Sequence, residues 1–186
     1  GEIKPWQAIA LLIVLLLIGF GILSLFNRLT IYIGIASLAL VFTYPLMKRI
    51  TWWPQLFLGF TFNWGALMGW SAITNSFAFT PLLLYVAGVF WTLGYDTIYA
   101  HQDKRDDAVV GVMSTARLFG DRSKRWVALF YALAVGCLAL TGWVAGLGTG
   151  FYVLLSFAAI FAAIQIVVWD MDDPQDCLTR FCSNRD

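Results

Sequence analysis

Six stretches of this 186-residue chain run apolar almost without interruption, at about 6–26, 30–47, 54–73, 80–100, 126–144 and 150–169. About 20 residues of helix cross the hydrocarbon core of a bilayer, and within lipid only helices and closed barrels satisfy their own backbone. Barrel strands alternate in roughly ten-residue pieces, whereas these runs are continuously apolar. The sequence therefore reads as all-α, a polytopic membrane helical bundle with about six transmembrane helices. Composition agrees: a chain that is 60% hydrophobic and 12% charged cannot hide its apolar surface in a soluble core of this size. The first run lacks the short apolar region and small-residue cleavage site of a signal peptide and is read as a span. No repeat, low-complexity tract or flexible linker marks a boundary, so residues 1–186 form one domain.

The charges fix a topology. Six spans put both termini on one side, with the 48–53 link and the 101–125 loop. That side holds Lys4, Lys48, Arg49, Lys104, Arg105, Arg117, Arg122, Lys124, Arg125, Arg180 and Arg185, while the other side holds Arg28 alone. The positive-inside rule makes the crowded side cytoplasmic. All eleven acidic residues lie there as well, so the net charge of +1 reflects partition by the bilayer and gives no reason to invoke a nucleic-acid partner. Trp6, Trp52, Trp53, Trp126 and Trp169 sit at cytoplasmic span ends as an anchoring belt. Trp64, Trp70 and Trp91 lie deeper, for packing or to line a cavity. Cys137 falls inside the fifth span. Cys177 and Cys182 fall in the cytoplasm, where both should react with thiol reagents. None of the three has metal-ligand spacing.

Five of the acids cluster at one connection, in and after "GYDTIYAHQDKRDDAVVGVMSTAR" from Gly94 to Arg117. If the fourth span continues as a helix beyond the membrane surface, Asp103 and Asp107 fall about 20° either side of Asp96, at roughly 100° per residue. Thr92 and Tyr99 flank this stripe, Asp106 sits to the side and Arg105 points away. His101 lies about 140° off it, outside the site. Such a row repels itself unless a cation faces it, and a carboxylate at the mouth of a span is expensive without a function. Magnesium suits the demand, because it takes a few carboxylate oxygens together with the oxygens of a phosphate ligand. A merely solvated loop does not need that spacing. Asn63 is polar in mid-span and faces the bundle interior, as interhelical glue or as a substrate contact.

The segments "GYDTIYAHQDKRDD" and "GVMSTARLFG" resemble the second aspartate-rich motif of the UbiA family of intramembrane prenyltransferases. "YPLMKRITWWPQ" at 44–55 is similar to its 4-hydroxybenzoate polyprenyltransferase branch. "GEIKPWQA", "GFTFNWGALMGW" and "CLTRFCSN" extend the resemblance over essentially the whole chain. The resemblance implies transfer of a polyprenyl chain from its diphosphate to the ring of 4-hydroxybenzoate, for ubiquinone biosynthesis, with Mg2+ as cofactor. It implies that Asp103 and Asp107 are the D-x-x-x-D catalytic and metal pair, that Asp96 and Asp106 support them, and that Arg49 binds the acceptor carboxylate. Lys48, Lys104 and Arg105 become candidates for diphosphate charge or a solvated face, with Tyr99 and Asn63 as further candidate substrate contacts. Phe62, Trp64 and Trp91 become candidates for holding a prenyl cation by cation–π attraction. The implied setting is a bacterial or mitochondrial inner membrane, with the site facing the cytoplasm or matrix.

Two features depart from the family pattern. Met113 stands where members often carry Lys or Arg. Between Glu2 and Asp96 there is no acidic residue, so the first motif, N-D-x-x-D-x-x-x-D, is absent. The expectation from sequence is a chain truncated at both ends whose isolated 186 residues are inactive. The competing readings are a UbiA-type enzyme with another aromatic acceptor, against which "YPLMKR" speaks, and a six-span transporter with an acidic cytoplasmic gate, which leaves the spacing of Asp96, Asp103 and Asp107 unexplained.

Overall fold

The fold, known from a computed structural model, is described for residues 4–184; Arg185, counted above on the cytoplasmic side, lies outside the described residues. Among these residues the chain forms helices and no strands: α1 Pro5–Leu23, α2 Arg28–Ile50, α3 Pro54–Phe62, α4 Gly65–Thr74, α5 Phe79–Gln102, α6 Lys104–Val110, α7 Thr115–Phe119, α8 Ser123–Val144, α9 Thr149–Val168 and α10 Pro174–Ser183. Six units are long and apolar enough to cross a membrane: α1, α2, α3 with α4, α5, α7 through α8, and α9. They coincide with the six apolar runs, and the chain is an integral membrane protein. The fifth unit starts earlier than the sequence suggests, at Thr115. Gly120 turns the corner between α7 and α8 at φ 52°, a left-handed value that a side chain resists.

Helix α5 is the axis of the molecule, packing on α8, α3 and α10. Its close fit to α8 depends on Gly94, where a Cβ would overlap the Tyr131 ring. Val127, Ala134 and Ile98 are fully buried in the same contact. By contrast α1 buries no residue, and it touches α2 lightly. An apolar helix with no buried face fits a bilayer, where lipid covers it.

The third span is a helix broken at Asn63 and Trp64. The Asn63 amide donates to the Gly59 carbonyl at 2.8 Å and to Thr92 Oγ1 at 2.9 Å, which ties the break to α5. Gly88 makes room for it, since a Cβ there would overlap the Asn63 side chain. One donor of the amide thus closes the end of α3, and the other joins α3 to α5. Trp64 Nε1 donates to the Ile33 carbonyl at 2.9 Å and its ring meets Tyr85 edge-on. That is packing, and it removes Trp64 from the cation-stabilising candidates.

Helix α10 lies under the end of α5 and corrects the cysteine expectation. Cys177 is fully buried, with the Trp169 indole N–H donating to its Sγ at 3.2 Å. Burial pushes its thiol above the usual range. Cys182 is exposed. A membrane-impermeant maleimide should modify Cys182 from the side that carries α6, and Cys177 at least about tenfold more slowly, because a buried protonated thiol is a poor nucleophile. Peptide-resolved mass spectrometry checks this, and equal rates at the two sites would contradict the packing of α10.

Candidate active site

Helix α5 does not continue through the acidic cluster. It ends at Gln102, Asp103 adopts φ −98° and ψ 4°, and α6 starts afresh at Lys104. The single stripe of Asp96, Asp103 and Asp107 is therefore corrected. Asp96 belongs to α5, while Asp103 and Asp107 are paired across the first turn of α6, where the Asp107 N–H donates to the Asp103 carbonyl at 2.8 Å. The break has a tertiary cause. The Met113 N–H donates to the Lys48 carbonyl at 3.0 Å, the Thr115 N–H to Gln55 Oε1 at 3.1 Å, and the Thr115 hydroxyl bonds that of Thr97 at 2.8 Å. These bonds pull the chain after α6 back onto the ends of α2, α3 and α5.

Arg117 completes the fold-back. Its Nη1 donates to the carbonyls of Asp107 and Val112, and the guanidinium lies 5.3 Å from the centre of the Trp52 ring. Held this way by carbonyls and a π face, Arg117 braces the loop. Ser114 caps α7, its Oγ accepting from the Arg117 N–H at 3.4 Å. Met113, whose uncharged side chain departs from the family pattern, contributes through its backbone.

The cluster is electrostatically unsettled. Among the described residues the one ion pair within 4.0 Å is Arg180 with Asp176, on α10. Asp96, Asp103, Asp106 and Asp107 are thus left without a direct salt bridge. Partial burial raises the Asp107 carboxyl above its usual range. The Asp103 and Asp106 charges push the same way, against the opposing pull of Lys48 and Arg117. Lys48, Arg49, Arg105 and Asp106 are exposed, and Lys104 is partly so. The Tyr99 ring packs 4.7 Å from Phe181 of α10, a neighbour the sequence did not suggest. Among the described residues no three His, Cys, Asp or Glu side chains converge as a metal cluster. The donors that are present, unpaired carboxylates four residues apart, suit a hard cation whose remaining ligands come from elsewhere, such as phosphate oxygens and water.

A cavity of about 440 Å³ lies along the middle of α5, between α3, α4, α5 and α8. Phe62, Asn63, Trp91, Thr92, Tyr95 and Leu138 line it. Its size and mainly apolar wall fit an extended hydrocarbon better than a hydrated ion. Trp91 lies in this wall with its ring 5.0 Å from that of Tyr131. His101 is buried on the far side, edge-on to Trp169 at 5.1 Å, away from the cavity.

Residues 1–185 match the model of the UbiA prenyltransferase family. The chain belongs to that family. Among curated UbiA-type relatives it is 50% identical to the mitochondrial 4-hydroxybenzoate polyprenyltransferase of Arabidopsis thaliana, over 100% of this chain and 46% of the relative. It is 47% identical to the enzyme of that name from Homo sapiens, over 100% of this chain and 50% of the relative. Against 4-hydroxybenzoate geranyltransferase 2 of Lithospermum erythrorhizon the identity is 45%, over 100% and 61%. The chain thus spans about half the length of the first two relatives. The apo structure of a UbiA homolog from Aeropyrum pernix K1 superposes with TM-score 0.77 at 24% identity, over 100% of this chain and 74% of that one. This likeness establishes the UbiA fold.

Proposed function

We propose that this chain is the second-motif part of an enzyme that transfers a polyprenyl chain from its diphosphate to the ring of 4-hydroxybenzoate, with magnesium held between Asp103, Asp107 and the diphosphate. The observation that carries this reading is a pair of carboxylates without salt bridges at the end of α5, the helix that also lines an apolar cavity, in a chain whose relatives bear that enzyme's name. A solvated acidic gate of a transporter would not require a loop pinned to three helices, in a bundle that also holds a cavity walled by Phe62 and Trp91.

On this reading Asp103 and Asp107 orient the diphosphate at the surface, with Asp96 and Asp106 adding negative charge nearby. Bound there, magnesium would offset the charge that develops on the departing diphosphate. Lys48 and Lys104 flank the carboxylates and supply positive charge, and Arg105 supplies more from the exposed face of α6. The cavity lined by Phe62, Asn63 and Trp91 takes the prenyl tail and keeps water from the allylic carbon, so that the acceptor ring captures it before hydrolysis. Of the original cation-stabilising candidates, Phe62 and Trp91 remain in position. Arg49 grips the acceptor carboxylate, a task suited to a planar guanidinium that binds two oxygens at once. The setting is a mitochondrial or bacterial inner membrane, with α6 on the matrix or cytoplasmic side.

Arg49→Ala should raise the KM for 4-hydroxybenzoate about tenfold or more, and leave that for the prenyl diphosphate within about twofold, as expected for loss of one charge-assisted contact. Steady-state kinetics with each substrate varied separately checks it. A rise confined to the diphosphate KM would transfer Arg49 to the other substrate.

A further inference from the structure

Helices α8, α9 and α10 meet around a buried polar knot that the reading above does not use. The Tyr131 hydroxyl donates to Gln165 Oε1 at 2.8 Å and lies 3.2 Å from Asn184 Oδ1. Gln165 in turn donates through Nε2 to the Arg180 carbonyl at 2.8 Å and to Ser183 Oγ at 3.0 Å. Both Tyr131 and Gln165 are 2% exposed. Gln165 is a fully spoken-for amide in an otherwise apolar span. A buried amide there costs free energy unless every bond is made, and here the bonds go to the C-terminal turn of α10.

The consequence falls on Phe181. Its ring lies 5.6 Å from that of Tyr95 and 4.7 Å from that of Tyr99. Tyr95 lines the 440 Å³ cavity, and with Phe181, Cys182 and Asn184 it also walls a second cavity of about 370 Å³. Tyr99 and Asp103 are four residues apart at the end of α5, so Phe181 braces the turn that leads into the carboxylate pair.

We propose that Tyr131 and Gln165 are positioning residues of the transfer site: they latch α10 in place, and through Phe181 they fix Tyr95, in the wall of the prenyl cavity, and Tyr99, one turn before the carboxylate pair. The proposal rests on the prenyl-transfer reading for its kinetic consequence, while the latch itself rests on the hydrogen bonds alone. Neither residue touches substrate. The latch acts on the wall of the prenyl cavity and on the turn before the carboxylates, so its loss affects how the prenyl diphosphate is held more than how the acceptor is bound.

The test uses the full-length protein in native membranes, with Gln165→Met, Tyr131→Phe and the double variant. Gln165→Met keeps length and removes every polar bond; the double variant also leaves no orphaned partner between the two sites, so a defect due only to an unsatisfied group should recover in it. Two readouts are taken. Maleimide labelling of Cys177, on the buried face of α10, should speed up about tenfold or more in Gln165→Met and in the double variant. The KM for the prenyl diphosphate should rise about tenfold in both, with the 4-hydroxybenzoate KM within about twofold of wild type. Cys177 staying protected in Gln165→Met overturns the latch. Faster labelling with an unchanged prenyl diphosphate KM overturns the positioning role and leaves the latch as a structural bond only. Recovery of the prenyl diphosphate KM in the double variant also overturns the positioning role. A wild-type protein with no transfer activity removes the prenyl-transfer reading, and the labelling rates then decide the latch on their own.

Discussion

Asp103→Asn and Asp107→Asn should each lower the kcat for prenyl transfer by about a thousandfold or more while leaving the protein folded in the membrane. Each change removes one oxygen charge from a site whose proposed work is to hold a cation against a departing diphosphate, and loss of a single well-placed electrostatic partner costs other enzymes about a hundred- to thousandfold. Neither carboxylate is in a salt bridge, and neither side chain accepts a hydrogen bond among the described residues, so the amide leaves no cation unpaired. The loop stays pinned through Met113, Thr115 and Arg117, whose bonds do not involve these side chains. Activity is read as prenylated product per unit of folded protein, with folding checked by unchanged thermal unfolding in detergent. Activity within twofold of wild type in either variant would remove that residue from the metal site. Asp106→Asn serves as the contrast: Asp106 is exposed, and a drop of less than about tenfold is expected.

Gly94→Val should be the most destabilising single change in the bundle. The added side chain drives into the Tyr131 ring, which cannot swing aside without giving up the hydroxyl bond to Gln165. Overpacking of a close helix contact costs about 1–3 kcal/mol, and breaking the Tyr131–Gln165 bond adds about 1 kcal/mol or more. A loss of about 3 kcal/mol is expected, visible as a large fall in the midpoint of detergent or thermal unfolding. Gly136→Val is the control, because nothing lies within 4 Å of a Cβ at Gly136. Equal midpoints for the two variants would mean that α5 and α8 are not packed as described.

The positions of the six spans were legible in the sequence because bilayer thickness sets the length of an apolar run and no tertiary context is needed to read it. The pairing of Asp103 with Asp107 was equally legible, since four residues on one helix face are a local matter. Asp96 joined them in the sequence reading only by extending α5 through Asp103. The extension failed because bonds from Met113 to Lys48 and from Thr115 to Gln55 redirect the chain. Gln55 and Thr115 are 60 positions apart, and neither residue carries a periodic signal. Tertiary bonds of this kind override local helix preference. One cue was available: Thr97 and Gln165 are polar within apolar spans, and each is a buried hydrogen-bonding node. The role of α10 was hidden for a different reason. "PQDCLTRFCS" is too short and too polar to stand out beside spans of about 20 residues, and its value comes from where Phe181 lands.

The account's central claim is metal-assisted transfer to 4-hydroxybenzoate through Asp103 and Asp107. The 186 residues are joined behind the N-terminal portion of the Arabidopsis relative, purified, and incubated with a polyprenyl diphosphate and 4-hydroxybenzoate over a magnesium titration, with product identified by mass spectrometry. The same assay is run on the 186 residues alone and on the Asp103→Asn, Asp107→Asn chimera. The account predicts ring-prenylated acid from the chimera, rising with magnesium and abolished by EDTA, and none from the short chain or the double variant. Product formation that persists undiminished in EDTA, or that survives loss of both aspartates, would contradict it.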